Sequence, residues 1–244
     1  MVTIGIDLST QGAKAVAYDV GAGKVVASAC VNYGRDLPEF GSPDGFLPNA
    51  DPRIRRANPE MWVRGLELVL KRLKDSGAPM GEISAVGGCA QQHATVCLDE
   101  HGDFTRMDCP IWMDSSTGEE VVALDARFGS ALRERTGSPA IERFAAAQMM
   151  KFAREKPDAY ARTARVHLLS SFMTSLLSGE DAPVDVGDGA GMNLLDLRSL
   201  EWDAEICEYA APGLAAKLPR IHRPGDAPLR LSARFAEFGL KPGI

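Results

Sequence analysis

The sequence predicts an α/β fold with a mixed β-sheet flanked by helices, and three observations predict it. Val2, Ile4 and Ile6 alternate with Thr3, Gly5 and Asp7, the period of a half-buried strand, and two more strand-like runs follow before residue 32. Trp62, Leu66, Leu70 and Leu73 then recur at helical spacing. Further on, short strand patterns alternate with helical ones, the order expected of a layered α/β domain. With 244 residues and 45% hydrophobic content the chain can bury a large core. No repeat, low-complexity tract or linker divides it, so residues 1–244 read as one domain.

The first strand turns through a glycine-containing segment into Lys14 to Tyr18, and Gly21-Ala22-Gly23 leads to a third strand from Val25 to Val31. Residues 32–57 are rich in Pro, Gly, Asp and Arg without periodicity and predict an excursion over the surface. Asn58-Pro59-Glu60 supplies an N-cap, a proline at the first helical position and an acid near the positive helix end, so a helix runs from there to Gly77. Ile83 to Val86 and Thr95 to Leu98 read as strands separated by the polar Gln91-Gln92-His93, and Ile111-Trp112-Met113 reads as another. Ser116 to Glu119 has capping-box spacing ahead of a helix from Glu119 to Leu132. Helices follow at 145–154 and 171–177 with Pro157 as a break between them, and a glycine-rich loop, Gly187 to Gly191, feeds a strand at 194–197.

A net charge of −6 and a pI near 5.3 provide no broad basic field for nucleic acid or anionic lipid, although Arg53, Arg55 and Arg56 form a local basic cluster. The five cysteines, Cys30, Cys89, Cys97, Cys109 and Cys207, are odd in number and include no C-x-x-C pair. They predict neither a disulfide framework nor a zinc site, and they suit a reducing, cytoplasmic setting. No segment has the roughly 20 apolar residues of a membrane span, and no secretory leader pattern opens the chain.

Four segments carry candidate chemistry. Asp7 ends an apolar strand and precedes Ser9-Thr10-Gln11-Gly12, with Lys14 opening the return strand. A carboxylate, small hydroxyls, backbone N–H groups and a cation together are what a Mg²⁺-nucleotide phosphate tail requires, while the same residues also suit an ordinary hairpin turn. Gln91, Gln92 and His93 lie between strands, where amides and imidazole can donate to and accept from a polyhydroxylated ligand; a structural histidine is the alternative. Trp112 and Asp114 suit a carbon face and a hydroxyl donor, or equally a core tryptophan and a helix-start acid. Arg143 could enter a cleft from its loop or pair with Glu142 at the surface.

The hairpin IDLSTQGAKAV resembles the first phosphate loop of the actin, hexokinase and heat-shock chaperone ATPases, which share a ribonuclease H-like fold. GGCAQQHATV, CPIWMDSST, TGSPAIERF and VDVGDGAGMNLLD follow in order, and with them the whole chain resembles the N-terminal, sugar-binding domain of the FGGY carbohydrate kinases, their xylulose-phosphorylating branch most of all. Two departures from the common pattern are Ser9, where many members have Gly, and Ala94, where Gly is usual beside the sugar site. The resemblance implies an ATP- and Mg²⁺-dependent phosphotransferase that converts a ketopentose, D-xylulose foremost, to its 5-phosphate. It implies that Asp7 holds Mg²⁺, that Ser9, Thr10, Gln11 and Lys14 face the phosphates, and that Gln92, His93, Asp114 and Arg143 contact the sugar. Asp185 and Asp188 are expected to shape the sugar-site wall through turns, and His101, His167 and His222 to be surface or structural.

In that family the general base is an Asp in a Gly-Asp-Asn or Gly-Asp-Gln segment. The resemblance therefore places the base and an ATP-binding second domain beyond Ile244, and the 244 residues alone are expected to turn over little sugar. The alternatives are another FGGY substrate (ribulose, glycerol or gluconate), a noncatalytic sugar sensor, and a protein-binding ATPase. The Gln-Gln-His and Glu-Arg-Phe segments argue against the last. The expected partners are a sugar and ATP, with a homodimer left open and neither nucleic acid nor membrane among them.

Overall fold

The computed structural model describes all of residues 1–244. Its central sheet is formed by Val2–Leu8 (β1), Gly12–Asp19 (β2), Lys24–Asn32 (β3) and Ile83–Ala90 (β5) in the order β3-β2-β1-β5, with a short strand, Arg56–Ala57 (β4), outside it. β1 runs antiparallel to β2 and parallel to β5, and β2 runs antiparallel to β3, so the sheet is mixed. The period-two pattern sorts the faces: Val2, Ile4, Ile6, Leu8, Ala13, Ala15 and Ala17 are buried, while Thr3, Gly5, Asp7, Lys14, Val16 and Tyr18 alternate with them on the other face.

A single helical turn, Tyr33–Asp36 (α1), follows the meander, and Pro59–Asp75 (α2) then covers the buried face. The predicted start of α2 is present: the Asn58 side chain accepts from the Glu60 N–H, Pro59 opens the helix, and Gly77 at φ 87° leaves it. Met61, Trp62, Leu66, Val69, Leu70 and Leu73 form its buried stripe, against β2 and β3. Each such side chain contributes about 1.5–3 kcal/mol of gross burial.

β5 leads through Gln91 to His93 into Thr95–Leu98 (β6), and Cys109–Pro110 (β7) pairs with β4. Gly118–Phe128 (α3), Ser130–Thr136 (α4), Ala145–Glu155 (α5) and Pro157–Arg162 (α6) lead to Arg165–Leu168 (β8), antiparallel to β6. Leu169–Ser178 (α7) packs on β5 and shares the core of α2 through Phe172 and Met173. Val186–Ala190 (α8), Leu195–Asp196 (β9), Glu201–Trp202 (β10), Ala204–Ala210 (α9) and Leu214–Lys217 (α10) complete a second, mainly helical core around Leu124, Leu132, Met149, Phe152, Leu195 and Ile206.

The fold departs from the sequence reading in several places. Ile111-Trp112-Met113 is not a strand: pairing stops at Pro110, and the Asp114 N–H bonds back to the Ile111 carbonyl at 2.9 Å, turning the chain over Trp112 and Met113. Ser116 caps nothing; its hydroxyl donates to Asp114 at 2.6 Å and Thr117 takes the N-cap position. Gly129, at φ 52°, divides the predicted 119–132 helix into α3 and α4. Gly187 to Gly191 fall mostly within α8, because the Asp185 side chain accepts the Gly187 N–H at 2.8 Å and starts a helix, and the strand after it shrinks to β9.

The 32–57 excursion does more than wrap an edge. Gly45, at φ 85°, lies so close to the loop after β1 that a Cβ there would stand 2.0 Å from the Thr10 carbonyl oxygen. The basic cluster is also consumed internally. Arg53 pairs with Asp51 at 2.7 Å, Arg56 pairs with Asp108 at 2.6 Å, and the Arg55 guanidinium lies over the Phe46 ring.

Candidate functional site

Asp7 projects from the end of β1 on the open face of the sheet. Ser9 Oγ donates to its Oδ2 at 2.5 Å, and the Cys89 thiol reaches Oδ1 at 3.7 Å from the parallel strand. Burial and the Asp7 charge push the Cys89 thiol pKa up, so it stays a protonated donor. Register places Cys89, Asp7, Lys14 and Cys30 in one row across the four strands. The loop that follows adds donors: the main-chain N–H groups of Thr10 and Gln11 bond to nothing in the chain. Beside Asp7 the sheet is bare at Gly87, where a Cβ would meet no atom within 4 Å. A hard oxygen ligand, free amide N–H groups, Lys14 and an uncluttered glycine approach fit a magnesium-bound phosphate chain.

A second hollow, of about 390 Å³, is lined by Gln91, Gln92, His93, Trp112 and Arg143. His93 and Arg143, 50 positions apart in the sequence, meet here because the β5–β6 turn faces the loop before α5. His93 is buried with its ring stacked on Phe144 at 4.7 Å between centroids, whereas Gln92 and Arg143 are exposed. Burial, then the Arg143 charge, lowers the His93 pKa and favours the neutral ring.

The two hollows are tied together. The Trp112 indole N–H donates to Thr10 Oγ1 at 2.9 Å, and Thr10 Oγ1 donates to Gln91 Oε1 at 3.3 Å. Gln91 Nε2, buried in the same wall, has no acceptor in the chain. Ser9, Thr10, Gln11 and Lys14 also line a pocket of about 580 Å³ on the other side of Trp112, next to Arg35, Asp44 and Phe46.

Asp114 differs from the other candidate residues. Its side chain has no exposed surface, and its carboxylate accepts from the Arg55 N–H (3.0 Å), the Ser116 N–H (3.0 Å), the Ser116 hydroxyl (2.6 Å) and the Gln148 amide (3.0 Å). Arg56 Nε stands 3.7 Å away. Asp114 borders a hollow with Trp112, Met113, Ser115, Glu142 and Arg143, next to that of His93, but protein donors take up its carboxylate, unlike the free sugar contact expected of it. Burial alone would raise its pKa, but the Ser116, Gln148 and Arg55 hydrogen bonds outweigh that and hold it below the usual carboxylate range.

Sequence reasoning passed over Cys89, Gln148 and the Arg55 and Arg56 strap around Asp114. It also passed over Gly191, whose carbonyl oxygen lies 3.1 Å from His93 Nδ1. Only the register of two parallel strands could have drawn attention to Cys89; the others are long-range contacts without a local signal. No helix is long and apolar enough to cross a membrane.

Residues 2–244 match the FGGY family of carbohydrate kinases, N-terminal domain. The chain is 38% identical over 237 residues to the mouse xylulose kinase, covering 88% of itself and 43% of that protein. It is 33% identical over 240 residues to Arabidopsis thaliana xylulose kinase 2, covering 89% and 43%. The crystal structure of xylulose kinase from Rhodospirillum rubrum superposes with a TM-score of 0.84 at 23% identity, over 100% of this chain and 47% of that one. The chain thus spans less than half the length of these relatives. Its fold is that of the actin- and hexokinase-like ATPases, and with the whole sequence matched, the chain belongs to the FGGY family of carbohydrate kinases.

Proposed function

We propose that this chain is the sugar-binding half of an ATP-dependent kinase that phosphorylates D-xylulose to D-xylulose 5-phosphate. The observation that carries the reading is the Trp112–Thr10–Gln91 link, which joins a polar hollow suited to hydroxyl groups to a strand-end loop suited to phosphates. The relatives named above supply the choice of sugar.

Magnesium-ATP, when bound, supplies the phosphoryl group and the cation that disperses its charge. Asp7 would hold the metal, the Thr10 and Gln11 N–H groups would donate to phosphate oxygens, and Lys14 would add a positive charge. In the other hollow Gln92, His93 and Arg143 hold sugar hydroxyls while Trp112 rests on a carbon face. Asp114 organises this wall from below. The general base that takes the hydroxyl proton is not assigned to any of these residues; the family resemblance expects it in a Gly-Asp-Asn or Gly-Asp-Gln segment. Five free cysteines accord with a cytoplasmic setting.

Isothermal titration of the chain against D-xylulose, D-ribulose, glycerol and gluconate, with and without Mg-ATP, tests the proposal. D-xylulose is expected to bind most tightly, with little dependence on ATP, and Arg143→Ala to weaken it by about tenfold or more. No binding of any ketose, or a preference for glycerol, would remove the reading.

A further inference from the structure

His93 is held in an unusual way. It is a non-glycine residue at φ 65°, a backbone region that costs energy unless the surroundings impose it. Phe144 stacks on one side of the ring, and on another the Gly191 carbonyl oxygen lies 3.1 Å from Nδ1. Glycine eases that approach, because a Cβ at residue 191 would sit 3.0 Å from His93 Cε1 and 3.4 Å from Nδ1 and would press the ring away. Gly191 is itself fixed. Its N–H donates to the Asp188 carbonyl at 3.1 Å, the Asp188 side chain accepts from the Ser170 hydroxyl, and the next carbonyl, of Met192, accepts the Ala146 N–H at 2.9 Å.

A carbonyl oxygen can only accept, so the proton of the ring is on Nδ1. Nε2 then carries a bare lone pair. It has no hydrogen-bond partner in the chain and is not among the sealed polar atoms, so it opens to the hollow that Arg143 also lines. Burial and the nearby Arg143 both oppose a second proton on the ring. The hollow therefore offers an acceptor, His93, facing a group that only donates, Arg143.

We propose that Gly191 acts as a positioning residue that fixes His93 as a hydrogen-bond acceptor. The site then selects a ligand hydroxyl that donates to Nε2 and accepts from Arg143, and it rejects a carbonyl, ether or fluorine at that position. A keto oxygen there would set two acceptors against each other; a hydroxyl satisfies both walls. The inference rests on the reading of this hollow as a sugar site, and it assigns the hollow to an alcohol carbon of the ketose, away from its keto carbon.

The test has two arms. In the first, long-range ¹H–¹⁵N correlation spectra of the ligand-free chain at neutral pH report the tautomer, with the His93→Gln variant assigning the ring among the four histidines. The Nδ1–H form is expected, and Gly191→Ala is expected to mix the two tautomers. An Nε2–H ring or an imidazolium in the native chain overturns the inference, whatever the variant does. In the second arm, D-xylulose analogues with single hydroxyls replaced by fluorine or methoxy are titrated. One position is expected to lose about 10- to 100-fold in affinity on fluorination. Tolerance of fluorine at every position, with D-xylulose still bound, overturns the hydroxyl selection alone. Failure of any sugar to bind a chain showing the Nδ1–H ring overturns the sugar reading and the selection with it.

Discussion

Asp7 and Asp114 are both carboxylates at turns beside the candidate site, and their surroundings could hardly differ more. Asp7 stands half-buried at a strand end, held by Ser9 and Cys89, with the rest of its carboxylate turned to the open face of the sheet. Asp114 is sealed, with two backbone N–H groups, a hydroxyl, an amide and a nearby guanidinium around it. An acid with spare lone pairs on a rigid strand can take a cation. One whose lone pairs are filled from the 55–56 strap and from α5 can only hold those segments together. The contrast separates a residue that meets ligand from one that builds the wall another residue uses.

The most direct way to break this comparison is to delete each carboxylate in turn. Asp114→Ala leaves the Arg55 and Ser116 N–H groups and the Ser116 hydroxyl without their acceptor and removes one of the two acceptors of the Gln148 amide, and a destabilisation of about 3–5 kcal/mol is expected. Asp7→Ala removes no buried ion pair and is expected to cost less than about 1 kcal/mol. Urea unfolding of the two variants reads both numbers. Equal costs would mean that Asp7 is as structural as Asp114.

A smaller effect comes from pH. The folded-state pKa of Asp114 is depressed, so its contribution to stability is fully present above its unfolded value, about 3.9, and fades as pH falls through the lower folded value. The stability gap between the native chain and Asp114→Asn is therefore expected to be flat between about pH 5 and 7 and to narrow on further acidification. Denaturant midpoints measured across that range check it. A gap that widened in acid would reverse the assigned sign.

The same contrast explains what could be read from the sequence. β1, β2 and α2 were legible because their signals are local: alternation sets the sheet faces, and Asn58-Pro59 starts the helix within three residues. Asp7 inherits its place from that pattern. The Asp114 wall was misread because its order comes from afar. Arg55 lies 59 positions upstream and Gln148 lies 34 downstream, and these contacts, rather than strand propensity or capping, decide the course of residues 111–117. The apolar run Ile111-Trp112-Met113 carried a strand signal, but only Ile111 is buried, while Trp112 turns out to reach Thr10. His93 and Arg143 were singled out through resemblance and line one hollow, yet the Gly191 carbonyl beside the histidine ring lies 98 positions away and left no trace in spacing.

Trp112 is where the two regions touch, which makes it the finest probe of the comparison. Its indole N–H reaches Thr10, on the loop that Asp7 introduces, while its backbone belongs to the turn that Asp114 pins. The side chain is 45% exposed, so little packing depends on its full size. Trp112→Phe keeps an aromatic face and deletes the donor together with part of the ring surface. The unfolding free energy is expected to shift by no more than about 0.5 kcal/mol, as for an exposed position. D-xylulose affinity is expected to fall by about 2- to 10-fold, the net worth of one hydrogen bond, because Thr10 and Gln91 lose the group that holds them in line. Titration calorimetry on the variant decides it. Unchanged affinity would show that the two walls bind independently, and a loss much larger than tenfold would show that the indole N–H itself meets the sugar.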